Sequence, residues 1–294
     1  MNSFMDAKTL LFVGLGAVLV VYAATVVRGG LEMPTPLQAV IGFVTAFFDT
    51  LGIGSFATTT AVYQLRSMVP VRLIPGTMNV GHALSTIAQA FIYTSLVPVE
   101  PKTLILMIAA ACAGSWLGAG VVVHWPRRRI QLGMGVALLG AAAVMLLTQL
   151  KLVPGGGATL GLTGARLLLG LGGNFVLGVL MMLGIGLYAP CMILVSLLGM
   201  DPTAAFPIMM GSCAFLMPIS SVRFVRTRTY DAKAAIGLAL GGLPAVLLAA
   251  FLVKSLPLDA VKWLVVFVVV YTSLNMLATA GQGDAQEGRV ADVA

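Results

Sequence analysis

The sequence predicts an all-α polytopic membrane protein built from two inverted-topology repeats, each with a discontinuous helix, after one extra N-terminal helix. Three observations lead there. The 294 residues are 59% hydrophobic and only 9% charged, with a mean hydropathy of +1.03, more apolar surface than a soluble domain can hide. The tetrapeptide "LGIG" occurs at Leu51 to Gly54 and again at Leu183 to Gly186, each time inside an apolar block. The Arg and Lys residues fall in short loops between such blocks, and they divide unevenly between the two faces of the membrane.

Nine apolar blocks follow one another, approximately 10 to 27, 37 to 62, 76 to 95, 103 to 124, 130 to 150, 165 to 198, 206 to 222, 234 to 253 and 261 to 279. The first, preceded by Lys8 and followed by "YAAT", resembles a signal peptide, but its run of about 18 residues exceeds a usual signal core. It reads as a retained lone helix over 8–34. The second and sixth blocks are the interrupted ones. A single membrane transport domain is expected over 1–280, with repeat 1 at 37–150, repeat 2 at 165–280, and a disordered tail over 281–294, "GQGDAQEGRVADVA".

The repeat is legible in the spacing. From Leu51 to Leu183 is 183 minus 51, or 132 residues, and the same offset carries Pro70 onto Pro202 and Pro75 onto Pro207. With one residue of slippage, Glu100 and Lys102 fall on Asp231 and Lys233, and Pro126 on Pro257. Each half therefore holds one interrupted segment and three ordinary spans.

Parity then fixes orientation. If each interrupted segment returns to the face it entered from, 11 of the 17 basic residues share one side, including Arg127 to Arg129 and Arg223, Arg226 and Arg228, and 6 lie on the other. The positive-inside rule makes the richer side cytoplasmic, with the C-terminus inside and the N-terminus outside. Three full crossings per repeat is an odd number, so the second copy is inverted. Re-entrant hairpins and pairs of short spans have the same parity, and charge does not separate them.

Inverted repeats with broken helices place a ligand near the midplane, where the breaks meet. The second half of a broken helix exposes N–H groups that favour an anion. Gly52, Gly54, Gly184 and Gly186 allow close backbone approach, and Ser55, Thr58 and Tyr188 offer hydroxyl donors without fixed charge. Thr77 and Asn79 in "PGTMNVGH" could face the same pocket, as could Ser212, beside the offset partners Met209 and Gly211. The substrate-binding set is thus Gly52, Gly54, Ser55, Thr58, Thr77, Asn79, Gly184, Gly186, Tyr188 and Ser212.

Asp49 and His82 are ionisable groups in apolar blocks, and their offset partners are Met181 and Ala214. They read either as a proton-coupling pair or as structural groups, with Asp49 capping the nearby break. Asn174 reads as interhelical glue. Cys112, Cys191 and Cys213 have no paired spacing and, with only two histidines in the chain, no metal site and no cofactor is expected. The net charge of +7 is spread among loops and gives no basic face for nucleic acid. The expected partners are a small anion and the lipid bilayer, and a homo-oligomer is left open.

The "FFDTLGIGS" break, "PGTMNVGH", "LGIGLYAP" and the 132-residue duplication together resemble the sulfite exporter TauE/SafE family of membrane anion permeases, over about residues 35 to 280. The resemblance implies a permease of the bacterial inner membrane that moves sulfite, a sulfonate or a related small anion. It also implies a pocket around Gly52 to Ser55 and Gly184 to Tyr188. The sequence departs from the commoner family pattern, because Ser55 and Phe56 follow Gly54 where a glycine run is usual, which implies a narrower pocket. The rival readings are an anion channel using the same half-helices, and an intramembrane enzyme using Asp49 and His82, which lacks an activated nucleophile.

Overall fold

The computed structural model describes residues 2–51, 54–152, 157–184 and 186–252, together with 263, 266–267, 270–271, 273–274 and 277–278. Gly52, most of the block at 261–279 and the tail at 281–294 lie outside the described residues. The described chain is helical: α1 (Asn2–Gly29), α2 (Pro36–Thr50), α3 (Ser55–Leu65), α4 (Ile74–Leu96), α5 (Pro101–Val122), α6 (Arg127–Gln149), α7 (Gly164–Met181), α8 (Tyr188–Leu197), α9 (Ala205–Arg226) and α10 (Ala232–Leu252). Five of them contain stretches long and apolar enough to cross a membrane: Thr9–Gly29, Pro101–Val122, Gly164–Met181, Pro202–Arg226 and Ala232–Ala250. This is a multi-pass membrane protein.

The two interrupted blocks are broken where the glycines fall. α2 begins with Pro36 behind a capping box, in which Thr35 Oγ1 accepts from the Gln38 N–H at 3.3 Å and Gln38 Oε1 accepts from the Thr35 N–H at 2.8 Å. It stops at Thr50, and α3 restarts at Ser55. In the second half α7 stops at Met181 and α8 restarts at Tyr188. A short 3₁₀ turn precedes α4 at Val71–Leu73, and its counterpart precedes α9 at Pro202–Ala204. The Asp201 carboxylate caps the second turn, and the Thr203 hydroxyl and N–H hold it below the usual carboxylate range.

Neighbour contacts show how each broken segment runs. Leu238 of α10 packs against both Gly42 and Gly81, and Gly242 against both Ala46 and Ser85, so α2 and α4 rise in parallel along α10. α3 then descends α4: Ser55 meets Asp49 at the top, Thr59 bonds His82, and Thr60 bonds Met78. Leu194 touches Gly173 and Leu198 touches Gly170, so the chain from α8 likewise returns along α7. Both segments are hairpins. Gln89, which bonds Asp49, is 89 minus 74, or 15, residues into the 23-residue α4. At 1.5 Å per residue the first hairpin's tip lies roughly 22 Å along a helix of roughly 34 Å.

Helix pairing exchanges under the repeat offset. α2 packs on α10 as α7 packs on α5, α4 packs on α10 as α9 packs on α5, and α4 and α9 face each other. Small residues let the backbones approach. A Cβ on Gly42 would lie 2.6 Å from Leu238 Cα, and a Cβ on Gly118 would lie 3.0 Å from Val179 Cα. α1 lies outside this arrangement, seated on α9 and α4 by Phe215 against Gly14, by Phe12 stacked on Phe91, and by the Tyr22 hydroxyl donating to the Val80 carbonyl at 2.6 Å.

Loop contacts mark two ends of the bundle. At one end Gly29 meets Tyr230, Glu32 pairs with Lys233 at 3.8 Å, Gly76 meets Thr229, and Thr77 Oγ1 accepts from the Asp231 N–H at 2.9 Å. At the other, the Glu100 N–H donates to the Leu160 carbonyl at 2.8 Å, the Asp201 N–H donates to the Thr159 carbonyl at 2.9 Å, and Arg166 lies beside Gly199. The first hairpin opens toward the former end and the second toward the latter.

Candidate functional site

The tips of both hairpins line one small cavity of about 10 Å³, room for about one water centre. Eight of its ten lining residues form four pairs at the 132 offset: Asp49 with Met181, Gly54 with Gly186, Ser55 with Leu187, and Phe56 with Tyr188. Thr86 of α4 and Cys213 of α9 complete it. The cavity thus lies where the two hairpin tips, 132 residues apart in the sequence, meet. Among the described residues, no Lys or Arg lines it.

Local backbone chemistry explains the tip. Gly54 precedes α3 at φ 89° and ψ 128°, a region open in practice to glycine alone. A Cβ there would meet nothing within 4 Å, so the conformation, and not space, demands glycine. A glycine has no side chain to cap α3, whose first N–H groups need acceptors. Asp49 supplies one from the end of α2: its Oδ1 accepts from the Ser55 N–H at 2.5 Å. The carboxylate lies where a bound anion would, at the positive end of a helix.

The second carboxylate oxygen continues a chain of hydrogen bonds into the other half. Gln89 Nε2 donates to Asp49 Oδ2 at 2.9 Å and to Thr50 Oγ1 at 3.0 Å. Gln89 Oε1 accepts from the Tyr188 hydroxyl at 2.5 Å. Tyr93, one turn along from Gln89, donates to the Thr50 carbonyl at 2.7 Å and holds the end of α2. Asp49 is 3% exposed, Tyr188 4% and Gln89 0%, so each link of this chain is made inside the protein.

Of the residues expected from sequence, Gly54, Ser55, Gly186 and Tyr188 come together with Asp49 around the cavity. The others have different surroundings. Thr58 Oγ1 donates to the Ser55 carbonyl of its own helix at 2.9 Å. Thr77 joins the start of α4 to Asp231 at one end of the bundle. Asn79 ties α4 to α9 through Ser220 and Ser221. Ser212 accepts from Asn174, which also donates to the Met107 carbonyl at 2.7 Å, so Asn174 bridges α7 to both α5 and α9. Gly184, at φ 89°, packs against Met78 and Met134. Gly52 lies outside the described residues.

Asp49 and His82 have separate partners. His82 Nε2 bonds Thr59 Oγ1 at 3.0 Å, its ring lies beside Phe56, and Nδ1 has no protein partner among the described residues. Asp49 looks instead to Ser55 and Gln89. No group of three or more His, Cys, Asp or Glu able to hold a metal ion occurs among the described residues.

Gln89, Thr86 and Leu187 are not picked out by the sequence; Phe56 enters there only as a residue that narrows the pocket, Met181 only as the offset partner of Asp49, and Cys213 as packing. A signal for the first existed: His82, Thr86, Gln89 and Tyr93 recur at three- and four-residue steps and make a polar stripe down one face of α4. Phe56 and Tyr188 are aromatic partners at the repeat offset.

These features define a class: a multi-pass helical membrane protein in which two helical hairpins bring their tips to one small cavity. The chain belongs to the family described as Sulfite exporter TauE/SafE, whose model matches residues 1–145 and 166–293. The family is one of membrane transporters, and the stretch between the two matched parts is the connection between the two halves. No curated protein and no solved structure matches the chain.

Proposed function

We propose that this protein is a secondary transporter of a small anion, sulfite or a related sulfur oxyanion, working by alternating access at the cavity between the hairpin tips. The observation that carries the reading is the cavity lining. Four residue pairs at the repeat offset surround it, as expected of a site shared by two structurally related halves. The α3 N-terminus, the Tyr188 hydroxyl and the absence of a lining cation suit a neutral, donor-rich anion site. The family's name supports a sulfur anion as cargo.

The halves are read as inverted in the bilayer. A hairpin that returns to its own face leaves three crossings per repeat, and the openings of the two hairpins toward opposite ends support that parity. The end holding Arg28, Arg72 and Arg223 to Arg228 is cytoplasmic by the positive-inside rule, so the N-terminus lies outside and the C-terminus inside the bacterial inner membrane. Binding of an anion beside Asp49 requires that its carboxylate be neutralised, so a proton moves with the substrate.

A cavity of about 10 Å³ favours a carrier, which must rearrange to admit an anion, over an open channel. The test is counterflow of radiolabelled sulfite in proteoliposomes, with sulfonates, thiosulfate, sulfate and lactate as competitors. Saturable exchange with selective competition is expected. Unsaturable flux would make the protein a channel, and no exchange of any sulfur anion by folded protein would remove the substrate assignment.

A further inference from the structure

The hydrogen bonds behind the cavity have a direction, and the Gln89 amide can reverse it, with the Thr50 hydroxyl turning from the Ala46 carbonyl to donate to it. Both Asp49 oxygens accept from N–H donors, Oδ1 from Ser55 and Oδ2 from Gln89. A proton that takes the lone pair facing either N–H puts a donor against a donor. The Ser55 N–H belongs to the first turn of α3 and cannot turn. The Gln89 amide can rotate by half a turn and present Oε1 to the protonated acid. Its Nε2 then faces the Tyr188 oxygen, which changes from donor to acceptor in that contact.

That exchange releases the Tyr188 hydroxyl proton from its present acceptor. Tyr188 lines the cavity and is the first residue of α8, opposite the α3 N-terminus across the repeat offset. We infer that Gln89 is a relay between the two halves: a proton on Asp49 turns the Gln89 amide, and the turned amide frees the Tyr188 hydroxyl to donate to an anion in the cavity. The inference rests on the transport reading for its purpose but not for its geometry. No bond is made or broken beyond the transfer of one proton to Asp49 from water.

Other titratable groups near Asp49 do not offer the same path. Tyr93 on α4 is committed to the Thr50 carbonyl, and His82 on the same helix is bonded to Thr59. Cys213 on α9 faces the Met181 sulfur at 3.7 Å. Cys191 on α8 is buried one turn beyond Tyr188. On α10, Lys233 pairs with Glu32 at the end of the bundle. The Tyr188 and Ser55 hydroxyls also stand beside Asp49, and among the described residues Gln89 is the one hydrogen-bonded to both Asp49 and Tyr188.

The test is pH-difference infrared spectroscopy of the full chain in lipid, without substrate, comparing wild type with Asp49→Asn, Gln89→Met and Tyr188→Phe. As pH falls, a carboxylic acid band removed by Asp49→Asn should appear, and a phenol band removed by Tyr188→Phe should shift with the same midpoint. Gln89→Met should keep the acid band and abolish the shift. A Tyr188 band that stays fixed while Asp49 titrates, or that follows Asp49 in Gln89→Met, overturns the relay, as does the absence of an Asp49 acid band down to the pH of unfolding. If Gln89→Met does not fold, Gln89→Ala is measured in its place and read by the same two outcomes. In sulfite counterflow, Tyr188→Phe should raise KM about tenfold at acid pH and about twofold or less at alkaline pH. An equal effect at both also counts against the relay. A relay seen in the infrared with no sulfite exchange would sink the transport reading and leave the relay standing.

Discussion

Replacing Asp49 by Asn should convert a pH-dependent affinity into a flat one. The side chain keeps its size, and Asn Oδ1 can still accept the Ser55 N–H that Asp49 accepts at 2.5 Å, so α3 keeps its cap. What changes is charge. An anion in the cavity stands beside Asp49, which lines it. Two unit charges about 4 Å apart at an effective dielectric of about 20 repel by about 4 kcal/mol, which at about 1.4 kcal/mol per decade is roughly a thousandfold in affinity. Wild-type protein is therefore expected to bind the proposed anion well only with Asp49 protonated. Raising the pH ionises the acid, and KM climbs by about tenfold per pH unit above its titration until the thousandfold ceiling is reached.

The assay is initial-rate uptake into proteoliposomes across a range of pH, with the pH gradient collapsed. Sulfite itself titrates near neutrality, so a permanently ionised sulfonate is run beside it. The Asn variant should show a KM that varies less than about threefold over that range and equals the acid-limit value of the wild type within an order of magnitude. A variant with the wild-type slope would show that the titrating group lies elsewhere. A variant with weak binding at every pH would show that the carboxylate attracts the substrate's partner and does not repel the substrate, and the electrostatic reasoning would be refuted.

Two further outcomes test the fold that carries the site. Gly42→Val places a side chain against the Leu238 and Gly237 backbone, so α2 and α10 must separate, at a cost of about 3 kcal/mol, while Gly16→Val in α1 meets nothing within 4 Å and serves as the control. Thermal unfolding in detergent should show a melting point several degrees lower for the first and unchanged for the second, and equal melting would deny the close packing. Single cysteines at Met33 and Ser67, in a background without Cys112, Cys191 and Cys213, flank the first hairpin; both should react with an impermeant maleimide from the same face, and labelling from opposite faces would make the segment a crossing.

Much of the fold was legible because the breaks are written in residue types with a strong local meaning. "LGIG" marks both interruptions, and the second half-helices begin at Ser55 and Tyr188, directly after the two breaks. Period and spacing do not say whether a broken segment crosses or turns back. That depends on which neighbours each half touches, as in Leu238 against both Gly42 and Gly81. The site was legible in part for the same reason. Gly54, Ser55, Gly186 and Tyr188 lie at the breaks themselves, whereas Thr77 and Asn79 are polar residues whose partners, Asp231 and Ser220, stand 154 and 141 residues away. A hydroxyl or amide in an apolar helix must find a partner, but the sequence does not say whether that partner is a ligand or another helix.

The acid beside the first break now has a physical reason. A half-helix that starts inside a membrane exposes N–H donors with no water to satisfy them, and an anion carrier must survive the part of its cycle in which no anion is bound. Asp49 solves that for α3 by standing in the anion's place. The second half meets the problem differently: Pro190 removes one donor from the first turn of α8, and Met181 occupies the position that Asp49 holds in the first repeat. One carboxylate therefore serves a cavity with two half-helix starts. A second acid at 181 would double the negative charge facing an incoming anion and require two protons where one suffices. On the anion cargo proposed above, the asymmetry between Asp49 and Met181 follows from the charge of that cargo, even though the 132-residue spacing pairs the two positions.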